Sequence, residues 1–195
     1  MLTRDQLLKM FRKSKALQRG HFELSSGLHS GHYFQCAQVL QYPKRATAIG
    51  RELARRLCAK KPTVVIGPAA GGIIPAFEAA RALGARALYS ERVDAEMQLR
   101  RGFTVTKQDR VVIIEDAITT GESARKVAAL VESFGAKVVG IATIVDRSGG
   151  KVRFPGRKFI RLFALAFETF PPTECPLCSE QIPVTRPGRV RSRIL

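Results

Sequence analysis

The sequence predicts an α/β domain built on a parallel sheet. Two patterns carry this reading. Apolar strand-like runs (TVVIG, ARALYSER, DRVVIIED and KVVGIATIVD) recur along the chain, with helical stretches of about 10 to 15 residues among them. Short glycine-bearing turns, GPAAGG and ITTGES, join strand to helix, as right-handed crossovers require. The 195 residues suffice for one domain with one core, and 45% hydrophobic with 25% charged content is ordinary for a soluble globular protein.

The elements follow in order. Thr3 caps a helix running to Ala16, with Leu7, Leu8, Met10 and Phe11 at helical spacing. GHFELSSGLHSGHYFQCAQVLQYP is rich in Gly, Ser and His and reads as a short hairpin or a pair of extended loops. Pro43 opens a helix from Lys44 to Ala59, with Ile49, Leu53 and Leu57 on one face. From Thr63 the chain reads strand, turn, helix. ARALYSER is a second strand, and EMQLRRGFTV is a loop with flanking strand residues. From Asp109 it is again strand, turn, helix, closed by Gly135. KVVGIATIVD and RKFIRLFALAFETF complete the strands. The organisation is one unit over 1–195: an N-terminal segment to residue 42, an α/β core over 43–170, and a tail over 171–195.

No apolar run is long enough to span a bilayer, and the N-terminus lacks the pure apolar segment of a secretory signal. The expected location is the cytoplasm. Lys plus Arg number 33 against 16 Asp plus Glu, a formal net charge of +17. That surplus attracts polyanions: nucleic acid, an anionic surface or a phosphorylated small molecule. Arg186, Arg189, Arg191 and Arg193 cluster in the tail and read as a solvated arm. Cys36 and Cys58 stand alone and read as small buried apolar residues. Cys175 and Cys178 form CPLC, half of a zinc site. No second pair or nearby His completes it in the sequence. That leaves a local disulfide, two reduced thiols, or a metal shared between chains.

The chemistry centres on VVIIEDAITTGES, Val111 to Ser123. An apolar strand runs into two adjacent acids, Glu115 and Asp116, and then into a loop of hydroxyls before a helix. Amides at a helix start are unpaired and carry partial positive charge, so they bind phosphate. Gly121 lets the backbone approach closely, and Thr119, Thr120 and Ser123 add hydroxyl donors. It is not a Walker loop, because no lysine sits in the turn. Carboxylates accept hydrogen bonds from ribose hydroxyls and could help hold Mg²⁺ beside a pyrophosphate. The alternative is a capping cluster, with Asp116 or Thr119 capping the helix and Glu115 paired with an arginine.

This stretch resembles the ribose-phosphate signature of the type I phosphoribosyltransferases. GHFELSSGLHSGHYFQC, GPAAGG and IVDRSGG are similar, in the same order, to the base segment, pyrophosphate loop and base-binding strand end of the orotate-using branch. The resemblance runs from about Gly20 to Gly150. It implies the type I fold with a small N-terminal hood, and transfer of phosphoribose from phosphoribosyl pyrophosphate (PRPP) to orotate in pyrimidine nucleotide synthesis. It implies PRPP contacts from Glu115, Asp116, Ala117, Ile118, Thr119, Thr120, Gly121, Glu122 and Ser123, with Ala70 and Gly71 at the pyrophosphate. Thr119, Arg147, Tyr33, Phe34 and His29 fall at orotate positions. A guanidinium fork suits the orotate carboxylate, and aromatic side chains suit its ring. Mg²⁺ is the implied cofactor, with Asp116 as its candidate ligand. The implied assembly is a homodimer sharing a mobile loop, ERVDAEMQLRRGF, whose cations Arg92, Arg100 and Arg101 join Asp116 as candidates for catalysis.

The sequence departs from that pattern in places. Many relatives carry a lysine in the pyrophosphate turn, where this chain has Gly71, and lysine and histidine in the loop, where it has arginines. His29 stands where many have lysine. Two other readings remain: transfer to another base, and a PRPP-sensing regulator that binds nucleic acid. No helix-turn-helix or RNP-like motif supports the second. Neither a membrane nor a nucleic-acid partner is expected.

Overall fold

The computed structural model describes residues 1–24 and 26–187. Helix α1 (Arg4–Lys13) begins in a capping box: the Gln6 amide donates to Thr3 Oγ1 at 3.2 Å, and the Thr3 amide to Gln6 Oε1 at 3.0 Å. Strands β1 (Leu17–Glu23) and β2 (His29–Phe34) form an antiparallel hairpin, and a short α2 (Ala37–Leu40) follows. Helix α3 (Pro43–Leu57) starts at Pro43, whose missing N–H costs nothing in a first turn. It buries Ile49, Leu53 and Leu57, the stripe read from the sequence. It ends two residues early, in a 3₁₀ turn over Cys58–Lys60.

Then come β3 (Val64–Pro68), α4 (Ile73–Leu83), β4 (Arg86–Val93), β5 (Glu96–Gln98), β6 (Arg110–Ile118), α5 (Glu122–Ser133), β7 (Lys137–Asp146), β8 (Lys158–Ala164) and α6 (Pro176–Ser179). The large sheet has the order β5-β4-β3-β6-β7-β8, and every neighbouring pair is parallel except β4–β5. All five residues of β3 and nine of the ten in β7 are buried, because helices or hood cover both faces. One core cluster joins Leu7 and Phe11 of α1 to α3, α4 and the sheet. The other packs α5 against the opposite face. No helix among the described residues is long and apolar enough to cross a membrane.

Three local readings change. The stretch read as a loop contains β5, which turns back on β4 through Asp94 and Ala95, both at positive φ (49° and 69°). The last strand stops at Ala164 rather than Phe170. The Leu165 amide makes one more bond to the Asp146 carbonyl (2.9 Å), beyond which β7 offers no partner. Cys58 is exposed, not buried, since it lies past the apolar stripe of α3.

Candidate active site

Chain direction builds the site. From β3 the chain crosses to β4 on one side, and from β6 to β7 on the other. The loops after β3 and β6 therefore diverge and leave a crevice at their carboxyl ends, the switch point where ligands bind in such sheets. GPAAGG leaves β3 on one wall, and EDAITTGES leaves β6 on the other.

The first wall is tight backbone. The Ala69 amide donates to the Ser90 carbonyl (2.8 Å) and the Gly72 amide to the Pro68 carbonyl (2.9 Å). The Ala69–Ala70 peptide is cis. A Cβ on Gly71 would lie 2.6 Å from Cγ, Oδ1 and Oδ2 of Asp116. The pyrophosphate-loop candidate thus touches the acid pair, and no side chain fits between them. A lysine at this position would collide with Asp116 as the two now stand.

On the second wall, Glu115 is 8% exposed and Asp116 is half-buried. Burial, then the adjacent Asp116, pushes Glu115 up to about 8. Burial also raises Asp116, opposed by hydrogen bonding from the Ala117 amide to Oδ1 (2.8 Å) and by Arg147. The capping arrangement is not what forms. Helix α5 has Gly121 as its N-cap, in the left-handed region (φ 77°), with no side-chain cap bond. Glu115 has no ion pair among the described residues. Two acids are held in low dielectric with no cation beside Glu115, and in the first turn of α5 the Glu122 amide has a long bond to Thr120 Oγ1 (3.4 Å) while the Ser123 and Ala124 amides are left without a cap. Free amides at a helix start can take an anion, and the adjoining carboxyl groups can accept hydrogen bonds from hydroxyls.

Thr119, Thr120 and Glu122 are exposed and Ser123 half-buried, so the loop faces outward. Ile118 differs: its side chain is 2% exposed and its carbonyl accepts from the Arg147 amide at 2.7 Å. Its place is structural, since it ends β6. Arg147 itself lies beside Asp116, Cys36 and Tyr33, and burial pulls it below the ordinary guanidinium range. It is not paired with its neighbour: Asp146 binds Arg161 (3.0 Å) and Ser148. Its guanidinium lies 5.8 Å from the centre of the Phe167 ring, on which His32 stacks at 5.2 Å.

Two orotate candidates lie elsewhere. Tyr33 and Phe34 are consecutive in β2 and face opposite ways. Tyr33 is half-buried on the Arg147 side, whereas Phe34 is 4% exposed and packs edge-on against Phe11. His29 turns away from the crevice, with its Nδ1 2.8 Å from His21 Nε2 and 3.3 Å from Cys178 Sγ. The candidate loop cations are at the sheet edge. Arg92 is exposed on β4, while Arg101 and Arg100 bind back to Glu91 at 2.9 and 3.7 Å. Cys36 was missed as a site neighbour. Its Sγ donates to the Asp116 carbonyl at 3.4 Å, and burial followed by Asp116 pushes the thiol well above its usual value. Its burial was legible in the sequence, but its placement against residue 116 was not.

A strand-end acid pair, an open helix start and a glycine turn in contact with it define a class. The phosphoribosyl transferase domain family matches residues 35–154, and the chain belongs to that family. Within it the chain belongs to the orotate phosphoribosyltransferases. It is 52% identical to the orotate phosphoribosyltransferase of Carboxydothermus hydrogenoformans over 93% of this chain and 96% of the relative. It is 48% identical to that of Caldanaerobacter subterraneus over 96% and 98%. The crystal structure of orotate phosphoribosyltransferase from Aeropyrum pernix is similar at a TM-score of 0.69 and 26% identity, covering 82% of this chain and 93% of that one.

Proposed function

We propose that this chain transfers the phosphoribosyl group of PRPP to orotate, giving orotidine 5-monophosphate and pyrophosphate, a step of pyrimidine nucleotide synthesis. One observation carries this: the Asp116 carboxyl stands against Gly71 on one side while its own strand runs into the open start of α5 on the other. A ribose on the acid pair would have an amide-rich turn toward each of its phosphorylated ends.

In this reading Glu115 and Asp116 accept the ribose hydroxyls. Thr119 to Ser123, with the first amides of α5, hold the 5-phosphate, and the turn at Ala70 and Gly71 holds the pyrophosphate. Arg147 forks onto the orotate carboxylate, and Tyr33 lies along the ring. The bond from the anomeric carbon to pyrophosphate oxygen breaks, and the bond to the orotate ring nitrogen forms. Positive charge grows on the sugar, so buried carboxylates nearby stabilise that state more than the ground state. Arg92, Arg100 and Arg101 are the cations available to a closing loop. The donor set also fits Mg²⁺, which takes one or two carboxylates together with substrate phosphates, and Asp116 is the residue to hold it. Bound there, the ion would neutralise the leaving pyrophosphate.

The active unit in this reading is a homodimer. Ile74 and Phe77, one turn apart on α4 beside the pyrophosphate turn, are 44% and 57% exposed, an apolar pair suited to a second copy. Absorbance-monitored orotate consumption with PRPP and Mg²⁺ tests the whole reading. Wild type should turn over, and Asp116→Asn should lose about 10²-fold or more in kcat/KM, the scale of charge-assisted bonds. Equal rates in the two proteins would remove the acids from the chemistry.

A further inference from the structure

Opposite the role expected of it, His29 belongs to a second cluster. His21, His29, Cys175 and Cys178 each offer one donor atom, and those four atoms all lie within 4.8 Å of one another. The two histidines come from the hairpin β1–β2 and the two cysteines from the C-terminal segment. All four fall outside residues 35–154, so the phosphoribosyl transferase match does not account for them.

The spacing is that of a single four-coordinate ion. With Zn–S near 2.3 Å and Zn–N about 2.0–2.1 Å, tetrahedral angles put sulfur and nitrogen about 3.5 Å apart. Cys175 Sγ lies 3.5 Å and Cys178 Sγ 3.7 Å from His21 Nε2, and Cys178 Sγ lies 3.3 Å from His29 Nδ1. The two ring nitrogens are 2.8 Å apart. A hydrogen bond between the rings explains that last distance alone. It does not explain two sulfurs, one of them 154 residues along the chain, at ligand-shell distance from the same nitrogens.

The protons agree. His21 Nδ1 is 2.7 Å from the Ile182 carbonyl, which can only accept, so the ring proton sits there and the Nε2 lone pair points into the cluster. A ring held by a backbone carbonyl through its far nitrogen is the usual outer support of a metal-bound histidine. Both thiols are free, and His21, His29 and Cys175 are buried. A two-iron cluster with cysteines on one iron and histidines on the other would separate the pairs; here all four donor atoms lie within 4.8 Å of one another, around one point.

We infer that His21, His29, Cys175 and Cys178 form a closed Cys₂His₂ site for one zinc-class ion, which clasps the C-terminal segment onto the hairpin that carries Tyr33. Backbone bonds already align the two parts. His29 and Phe170 exchange amide bonds of 2.8 and 2.9 Å, and the Thr185 amide donates to the His21 carbonyl at 2.8 Å. The ion adds the cross-link, with no open position for a substrate and therefore no catalytic task.

Metal analysis of the full-length protein, purified without chelator, tests this. One zinc per chain is expected. Removing it and adding Co²⁺ alone should give four-coordinate visible bands with thiolate-to-cobalt absorption, and re-adding zinc should raise Tm. Cys175→Ser and Cys178→Ser should each lose the stoichiometric ion. Should a variant fail to fold, the cobalt spectrum of wild type still decides. Protein that takes up no zinc under reducing conditions, or a cobalt spectrum without thiolate absorption, overturns the site. Because the readout is metal content and spectrum, it is independent of whether orotate is the substrate.

Discussion

The β6–α5 corner and the hood–tail junction are built in opposite ways. In the corner, acids, hydroxyls, glycine and helix start lie within nine consecutive residues, Glu115 to Ser123. A strand that stops and a helix that starts suffice to place them. At the junction, four donors on two segments about 150 residues apart meet only because a hairpin and a C-terminal strap pair edge to edge. Local order makes a site that tolerates change around it. Long-range assembly makes one that depends on the fold being complete.

The strongest way to break the corner is from its other wall. Gly71→Ala places a Cβ 2.6 Å from the Asp116 carboxyl. Either the turn or the acid must move, and misplacement by about 1 Å can cost about 10²-fold in rate. The expected result is a loss of that order in kcat/KM with nearly unchanged thermal stability, checked by steady-state kinetics beside a melting curve. Retained activity would show that the two walls do not share a ligand.

Arg147 ranks next. Arg147→Ala should raise KM for orotate by about 10- to 10²-fold, the scale of a charge-assisted pair, and leave KM for PRPP within about two-fold. Arg147→Lys should recover only part of this, since an ammonium cannot fork. Equal effects on both substrates would move Arg147 from the base to the phosphates.

These two residues also show what the sequence could disclose. The strand-end arginine and the acid pair were legible because position in an α/β strand fixes position in the crevice. The alternation that sends Tyr33 and Phe34 to opposite faces was legible too, once β2 was known to be a strand; a hairpin or a loop pair remained open. The partners of CPLC were not. A half-site names its missing ligands only through tertiary contact, and His21 and His29 sat within a segment whose resemblance pointed to base binding. Equally, Arg100 and Arg101 carry no local sign that they fold back on Glu91. Arg189, Arg191 and Arg193 lie outside the described residues.

A smaller, pH-dependent effect separates the corner from the rest. Glu115 has a folded value of about 8 against an ordinary 4.5. Between those limits the folded chain binds a proton that the unfolded chain does not. Its contribution is therefore full below about pH 4.5 and is lost as pH rises through 8, at about 1.4 kcal/mol per unit at most. Ligand-free protein should lose stability across that window, and Glu115→Gln should flatten the slope in denaturant titrations at several pH values. Binding of Mg²⁺ and PRPP should also release protons near pH 7, seen as a calorimetric enthalpy that varies with buffer ionisation. No such release would mean that Glu115 keeps its proton and does not accept from the ribose.

The finest test uses two neighbours. Tyr33 and Phe34 differ by one position and so by one face of β2. Phe34 packs with Phe11 (ring centres 5.0 Å apart), and Phe11 in turn with Phe163 (5.6 Å). Phe34→Leu keeps most of the apolar volume but loses the ring contact, so it should cost about 1 kcal/mol of stability and leave KM for orotate unchanged. Tyr33→Leu should do the reverse: little change in Tm, and a several-fold rise in KM for orotate as the ring contact goes. The comparison succeeds only if the effects cross. If Phe34→Leu alters KM as much as Tyr33→Leu, the hood moves as a rigid unit and the base position depends on its core as well as its surface. The two strands of β1–β2 would then transmit packing changes to the crevice, and substitutions at Phe11, on the far side of Phe34, should shift KM in the same direction.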